Sequence, residues 1–157
     1  MSQDPYKSPE SNVAVATKEV AELPNPFVVA LLMVAVSLAI GAVIATIEFF
    51  LGFTFPGNSF LTTVIPALVV GNYYGKKRQA LFPRNFRIKV VLIWLVIGIL
   101  LAAIAFGLIA PDFLRMMLAN IVFVAIFVGV VLLGCVICYF AISFGEKLAI
   151  KSLAKKA

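Results

Sequence analysis

The chain has 157 residues, 63% of them hydrophobic and only 13% charged, with a mean hydropathy of +1.11; soluble domains run near 45–50% apolar and about 25% charged. This composition excludes an ordinary soluble domain and points to a membrane protein, and because a transmembrane helix takes about 20 apolar residues, the length leaves room for about four spans and excludes a large transporter fold in one copy. The sequence contains no His, so the commonest general base and metal ligand are missing, two Cys are too few for a secreted disulfide scaffold, and no metal or other cofactor is expected.

Residues 1–26 are polar and punctuated by Pro5, Pro9, Pro24 and Pro26, which does not match a cleavable secretory signal. A cytoplasmic tail is expected, with Val13, Ala16, Val20 and Leu23 spaced for a short interfacial helix, a frayed or disordered tail being the alternative. Phe27 to Ile47 carry no charge over 21 residues, reaching about 31 Å as a helix, enough for a first span. Phe55-Pro56-Gly57-Asn58 reads as a turn, with Asn58 or Ser59 placed to cap the next helix. The second span, from Ser59 to about Gly75, has Pro66 near its middle, predicting a kink whose freed carbonyl Thr62 or Thr63 could satisfy. A re-entrant loop is the alternative there.

Lys76, Lys77, Arg78, Arg84, Arg87 and Lys89 form a basic linker, followed by 21 uncharged residues from Val90 to Ala110 as the third span, with Trp94 close to its start. After a short turn at Pro111–Arg115, the 30 uncharged residues from Met116 to Gly145 exceed what a bilayer needs, so the fourth span is expected to tilt, protrude or begin with an interfacial turn near Asn120. Residues 27–145 are thus read as a four-span transmembrane domain and 146–157 as a basic cytoplasmic tail. Twelve of the 13 Lys and Arg fall in the two tails and the 76–89 linker, against Arg115 alone on the other side. Basic residues are retained on the cytoplasmic side, so the expected fold is all-α and polytopic with both termini inside. The same asymmetry accounts for the +6 charge through anionic lipid of the cytoplasmic leaflet, without a nucleic-acid partner.

Glu48 is read as the acidic residue lying between apolar stretches. An intramembrane carboxylate is a candidate proton or cation site, and the plainer alternatives are an interfacial ion pair with Arg115 or a simply solvated side chain. The six basic linker residues are candidates for contacts with lipid phosphates or an acidic partner; Gly75-Lys76-Lys77 lacks the glycine spacing of a phosphate loop. Small residues recur every four positions as Ser37, Gly41 and Ala45, as Gly98 with Ala102 and Ala103 with Gly107, and as Ala125 with Gly129. Such stripes let helix backbones approach, within the chain or between subunits. Gly71-Asn72-Tyr73-Tyr74-Gly75 is read as interfacial tyrosine anchoring or a polar entrance. Cys135-x-x-Cys138 has redox or metal spacing, but without partners it reads as packing.

Pro66-Ala67, Gly71, Tyr74, Arg78, Pro83, Arg87 and Trp94, which join the second span to the third, resemble a group of small four-helix inner-membrane proteins of Acinetobacter-type bacteria. The chain departs from that group at Gln79-Ala80-Leu81-Phe82, where a more polar, glycine-containing stretch is expected. It lacks the early, centrally placed glutamate of the small multidrug resistance and chlorhexidine-type efflux families. The resemblance implies a bacterial inner-membrane protein, oligomeric, linked to envelope integrity and tolerance of toxic compounds, with no catalytic residue. The expected function is therefore a non-enzymatic small homo-oligomer, three subunits being preferred. The alternatives are a small proton-coupled transporter or channel using Glu48, and an accessory subunit docked on an envelope protein.

Overall fold

A computed structural model describes residues 22–54 and 57–155. Among these the chain is all-helical: α1 (Pro26–Leu51), α2 (Asn58–Arg78), α3 (Arg84–Ile109), α4 (Pro111–Ala119) and α5 (Ile121–Ala154). The expected helix around residues 13–23 and the Phe55-Pro56 part of the turn fall on residues outside that range, save Glu22 and Leu23, which are not helical.

Helix boundaries obey local chemistry. Asn25 caps α1 by accepting from the Phe27 N–H at 2.9 Å, and Pro26, needing no donor in the first turn, starts the helix. Gly52, at φ 68°, ends it by donating to the Glu48 carbonyl. Asn58 and Ser59 are the caps expected for α2, but Gly57 at φ 90° takes the cap position without a side-chain bond, and Asn58 is already helical. Its side chain turns to Glu48 instead. Asn120 breaks the long uncharged run. Its Oδ1 accepts from Val122 N–H at 3.0 Å and caps α5, leaving Met116–Ala119 of that run at the end of a separate nine-residue helix, α4, which also makes helix of the turn expected at Pro111–Arg115.

Three helices, α1, α3 and α5, are long and apolar enough to cross a membrane. The helix α2, read from the sequence as another span, is not among them, because Asn58, Ser59, Thr62, Thr63, Asn72 and its terminal basic residues dilute its apolar content. It is nonetheless a continuous helix of 21 residues through Pro66. Thr62 and Thr63 do not serve the carbonyl that Pro66 frees; their hydroxyls bond to the Asn58 and Ser59 carbonyls one turn earlier. The Cys138 thiol of α5 reaches the next carbonyl, that of Thr63, at 3.7 Å.

The core sits at one end of the bundle. It gathers Val29, Ala30 and Met33 from the start of α1, Ala67, Val70 and Tyr74 from the end of α2, Phe86, Val90 and Val91 from the start of α3, and Cys138, Ala141 and Ile142 from the later part of α5. The most extensive helix contact is between α2 and α5, which run parallel. Ala67, Gly71 and Gly75 on α2 meet Ala141, Gly145 and Ala149 on α5, small residues four apart on both helices. A Cβ at Gly71 would overlap the Ile142 carbonyl, and one at Gly145 would lie 2.5 Å from the Leu68 carbonyl. Only glycine permits this approach, which is how small-residue stripes gain van der Waals contact.

Candidate functional site

Three charged side chains are buried in this core: Arg78, Arg87 and Glu146. Each sits on the inward stripe of its helix. On α5 the buried positions are 138, 141, 142, 145, 146 and 149, the three-and-four spacing of one helix face, and Glu146 falls on it although it is the first charged residue after a long apolar run. Arg87 lies between Phe86 and Val90 on the buried face of α3. Arg78 ends the stripe of α2.

The segment from Gln79 to Pro83 brings these helix ends together. Gln79 adopts φ 54° and its N–H closes α2 on the Gly75 carbonyl at 3.0 Å. The chain then folds back so that Phe82, 3% exposed, inserts its ring between Tyr74 (centroids 5.7 Å apart) and Phe86 (4.5 Å). That insertion points the Phe82 backbone N–H at Glu146 Oε1, 3.3 Å away. The other oxygen, Oε2, is 3.0 Å from Arg87 Nη2. Arg87 Nη1 donates to Ser143 Oγ at 3.0 Å, and its guanidinium lies 5.8 Å from the Tyr139 ring centroid. Arg78 stacks over Phe82 at 5.1 Å. One carboxylate thus ties α5 to both α3 and the linker, with aromatic faces attracting the two cations. A buried ionised pair persists only when well partnered; here Oε1 accepts from Phe82 N–H and Oε2 faces Arg87 as an ion pair, while Oε2 and the buried Arg87 Nε make no hydrogen bond among the described residues. The arrangement suits a fixed charge clasp.

Sequence reasoning passes over Glu146, because the uncharged run ends at Gly145 and the remainder reads as a solvated tail. In the structure residues 146–154 continue α5, and Glu146 and Ala149 are buried. The six basic linker residues divide. Lys76, Lys77, Arg84 and Lys89 are exposed, as lipid contacts require, whereas Arg78 and Arg87 turn inward and do not present their charge to headgroups. Tyr73 faces out while Tyr74 is buried against Phe82, so only one of the two tyrosines fits interfacial anchoring.

Glu48 is half-buried and accepts from Asn58 Nδ2 at 3.4 Å, linking α1 to the start of α2. Arg115 is 4.0 Å from Asp112, one turn away on α4, both strongly exposed. The expected Glu48–Arg115 pair is not among the ion pairs of the described residues. Of the small-residue stripes read from the sequence, Ser37 bonds its own helix at the Met33 carbonyl, Ala45 is exposed, and a Cβ at Gly41 would make ordinary contact at 3.9 Å with Thr62. Gly98, Gly107 and Gly129 face open space. Ala102 and Ala103 border an apolar cleft of about 290 Å³ between α3, α4 and α5, closed in by Phe106, Leu118 and Phe127. The close approach runs instead through Gly71, Gly75 and Gly145. Both Cys are free, and Cys138 packs fully buried.

Compared with protein-family models, with curated proteins and with solved structures, the chain finds no match.

Proposed function

We propose that the chain is a non-enzymatic, multi-pass protein of the bacterial inner membrane, crossing it four times with both termini inside, which forms a small homo-oligomer and supports cell-envelope integrity and tolerance of toxic compounds. The observation that carries the oligomer is the unused small-residue surface. Gly98 and Gly107 on α3 and Gly129 and Gly134 on α5 have no neighbour within 4 Å of where a Cβ would stand, and such positions let a second helix come close in a membrane. Exposed Lys76, Lys77, Arg84, Lys89, Lys147 and Lys151 crowd the packed end, which supports placing that end in the cytoplasm. The length of α2 and its wrapping by protein support a fourth crossing despite its polarity, since polar side chains in a membrane face the protein interior. The test is the mass of the purified protein in several lipid-like detergents, together with membrane permeability after deletion of its coding sequence. A monomer throughout with unchanged permeability overturns the proposal.

A second reading, a small proton-coupled transporter, draws on the half-buried Glu48 held by Asn58 between α1 and α2. Efflux of a cationic dye from everted vesicles, compared between wild type and Glu48→Gln across pH, decides it. Undiminished transport by the variant with the same pH profile removes Glu48 from any such role.

A further inference from the structure

Two open grooves flank the later part of α5 and share Phe140 as the ridge between them. The first, about 510 Å³, runs between α3 and α5 over Val91, Leu92, Cys135 and Val136, with Arg84 at its end. The second, about 480 Å³, runs between α2 and α5 over Val64, Leu68, Ile137 and Phe144, with Lys147 at its end. Both cations stand at the packed end of the bundle, because α3 starts there and α5 finishes there. Each groove is otherwise almost wholly hydrocarbon. At 1.5 Å per helical residue, Arg84 to Leu92 spans about 12 Å and Ile137 to Lys147 about 15 Å. One leaflet's share of a roughly 30 Å hydrocarbon core is about 15 Å.

We propose that this pair of grooves is a binding site for one phospholipid with an anionic headgroup, an acyl chain lying in each groove astride Phe140 and the phosphate directed to Arg84 and Lys147. The inference rests on the reading that the chain spans a membrane with its packed end in the cytoplasmic leaflet. Charge complementarity selects the occupant. Arg84 and Lys147 are exposed and, among the described residues, neither is in an ion pair, so each has its charge to offer. Two chains rather than one are indicated because the grooves are of similar size, adjoin along a single ridge and end in a cation on the same side. The lipid also lies against the buried clasp: Tyr139 lines the first groove and Ser143 the second, and both contact Arg87.

The test uses the purified full chain in detergent with equal amounts of phosphatidylglycerol and phosphatidylcholine, read by native mass spectrometry. Wild type should retain one phosphatidylglycerol in about tenfold preference, given that each basic residue near an anionic lipid contributes appreciably. Arg84→Gln with Lys147→Gln should bring the preference to near parity, while Lys76→Gln with Lys77→Gln, equally exposed at the same end, should leave it unchanged. Leu92→Trp with Ile137→Trp, which fills both grooves without altering charge, should release the lipid. Equal retention by the charge variant, equal loss in the control variant, or displacement by millimolar inorganic phosphate overturns the site. Retention in detergent does not depend on which way the chain faces, and a topology reporter fused after Ala157 reads that separately. A failed lipid preference with the reporter inside therefore rejects the site alone, and a reporter outside rejects the orientation alone.

Discussion

At the end where α2 finishes and α3 begins, glycines bring backbones into contact and a carboxylate is sealed from solvent beneath Phe82. At the opposite end Phe49, Leu108, Ile109 and Ile121 are each about four-fifths exposed (83%, 80%, 84% and 78%), and glycines on α3 and α5 look onto empty space. The two ends are built from the same residue types, Gly, Ala, Leu, Ile and Phe. What separates them is pairing of stripes: Ala67-Gly71-Gly75 finds Ala141-Gly145-Ala149, while Gly98 and Gly129 find nothing among the described residues. Composition therefore does not decide where a helical membrane protein holds itself together; complementary spacing on two neighbouring helices does. The open end is left to whatever surrounds it, lipid or a second copy.

Breaking the clasp should separate the ends most sharply. Glu146→Ala leaves Arg87 buried without its counter-charge, a change of about 3–5 kcal/mol, seen as a large loss of thermal stability in detergent. Replacing both partners, Glu146→Met with Arg87→Met, should recover much of that loss, because an apolar pair of similar bulk restores packing without a stranded charge. Gly71→Ala comes next, driving a methyl into the Ile142 carbonyl and costing about 1–3 kcal/mol. The same substitution at Gly98, on the open face, should instead raise protomer stability by about 0.5–1 kcal/mol through helix propensity while shifting the oligomer toward monomer, both measurable by unfolding and mass. Opposite signs at these two glycines are the signature of the comparison, and equal destabilisation at both would erase it. Arg78→Met should cost about 0.5–2 kcal/mol through loss of its stack on Phe82. Smallest is Glu48→Gln, expected within about 1 kcal/mol, since the amide oxygen can still accept from Asn58.

Much of the architecture is legible in the residues alone. Uncharged stretches announce α1, α3 and α5, whereas α4 is only partly legible: its last four residues are the excess of the uncharged run ahead of the Asn120 cap, and its first five read as a turn. The candidate site is less legible, for identifiable reasons. Arg78 and Arg87 group with four surface cations because linear clustering does not reveal which face of a helix each occupies. Glu146 lies just past the last uncharged residue and so reads as part of a tail, although its four-residue spacing from Ile142 already puts it on a buried face. The Gly71-x-x-x-Gly75 pair obeys the same small-residue rule as the other stripes of the chain, but its aromatic neighbours suggest a membrane interface instead. Stripe partners cannot be matched from spacing alone, since any small stripe can meet any other until the topology is known.

The bond from the Phe82 backbone to Glu146 joins positions 64 residues apart, and this sets an order on biosynthesis. When α2, the linker and α3 have left the ribosome, Arg87 and the Phe82 N–H do not yet have Glu146 to meet, since residue 146 is not yet made. The helices α1, α2 and α3 must therefore wait with their packed end unlocked until α5 is nearly complete. A nascent chain arrested before Glu146 would display an unneutralised arginine and a loose linker together, a form that membrane quality control could distinguish from the finished protein.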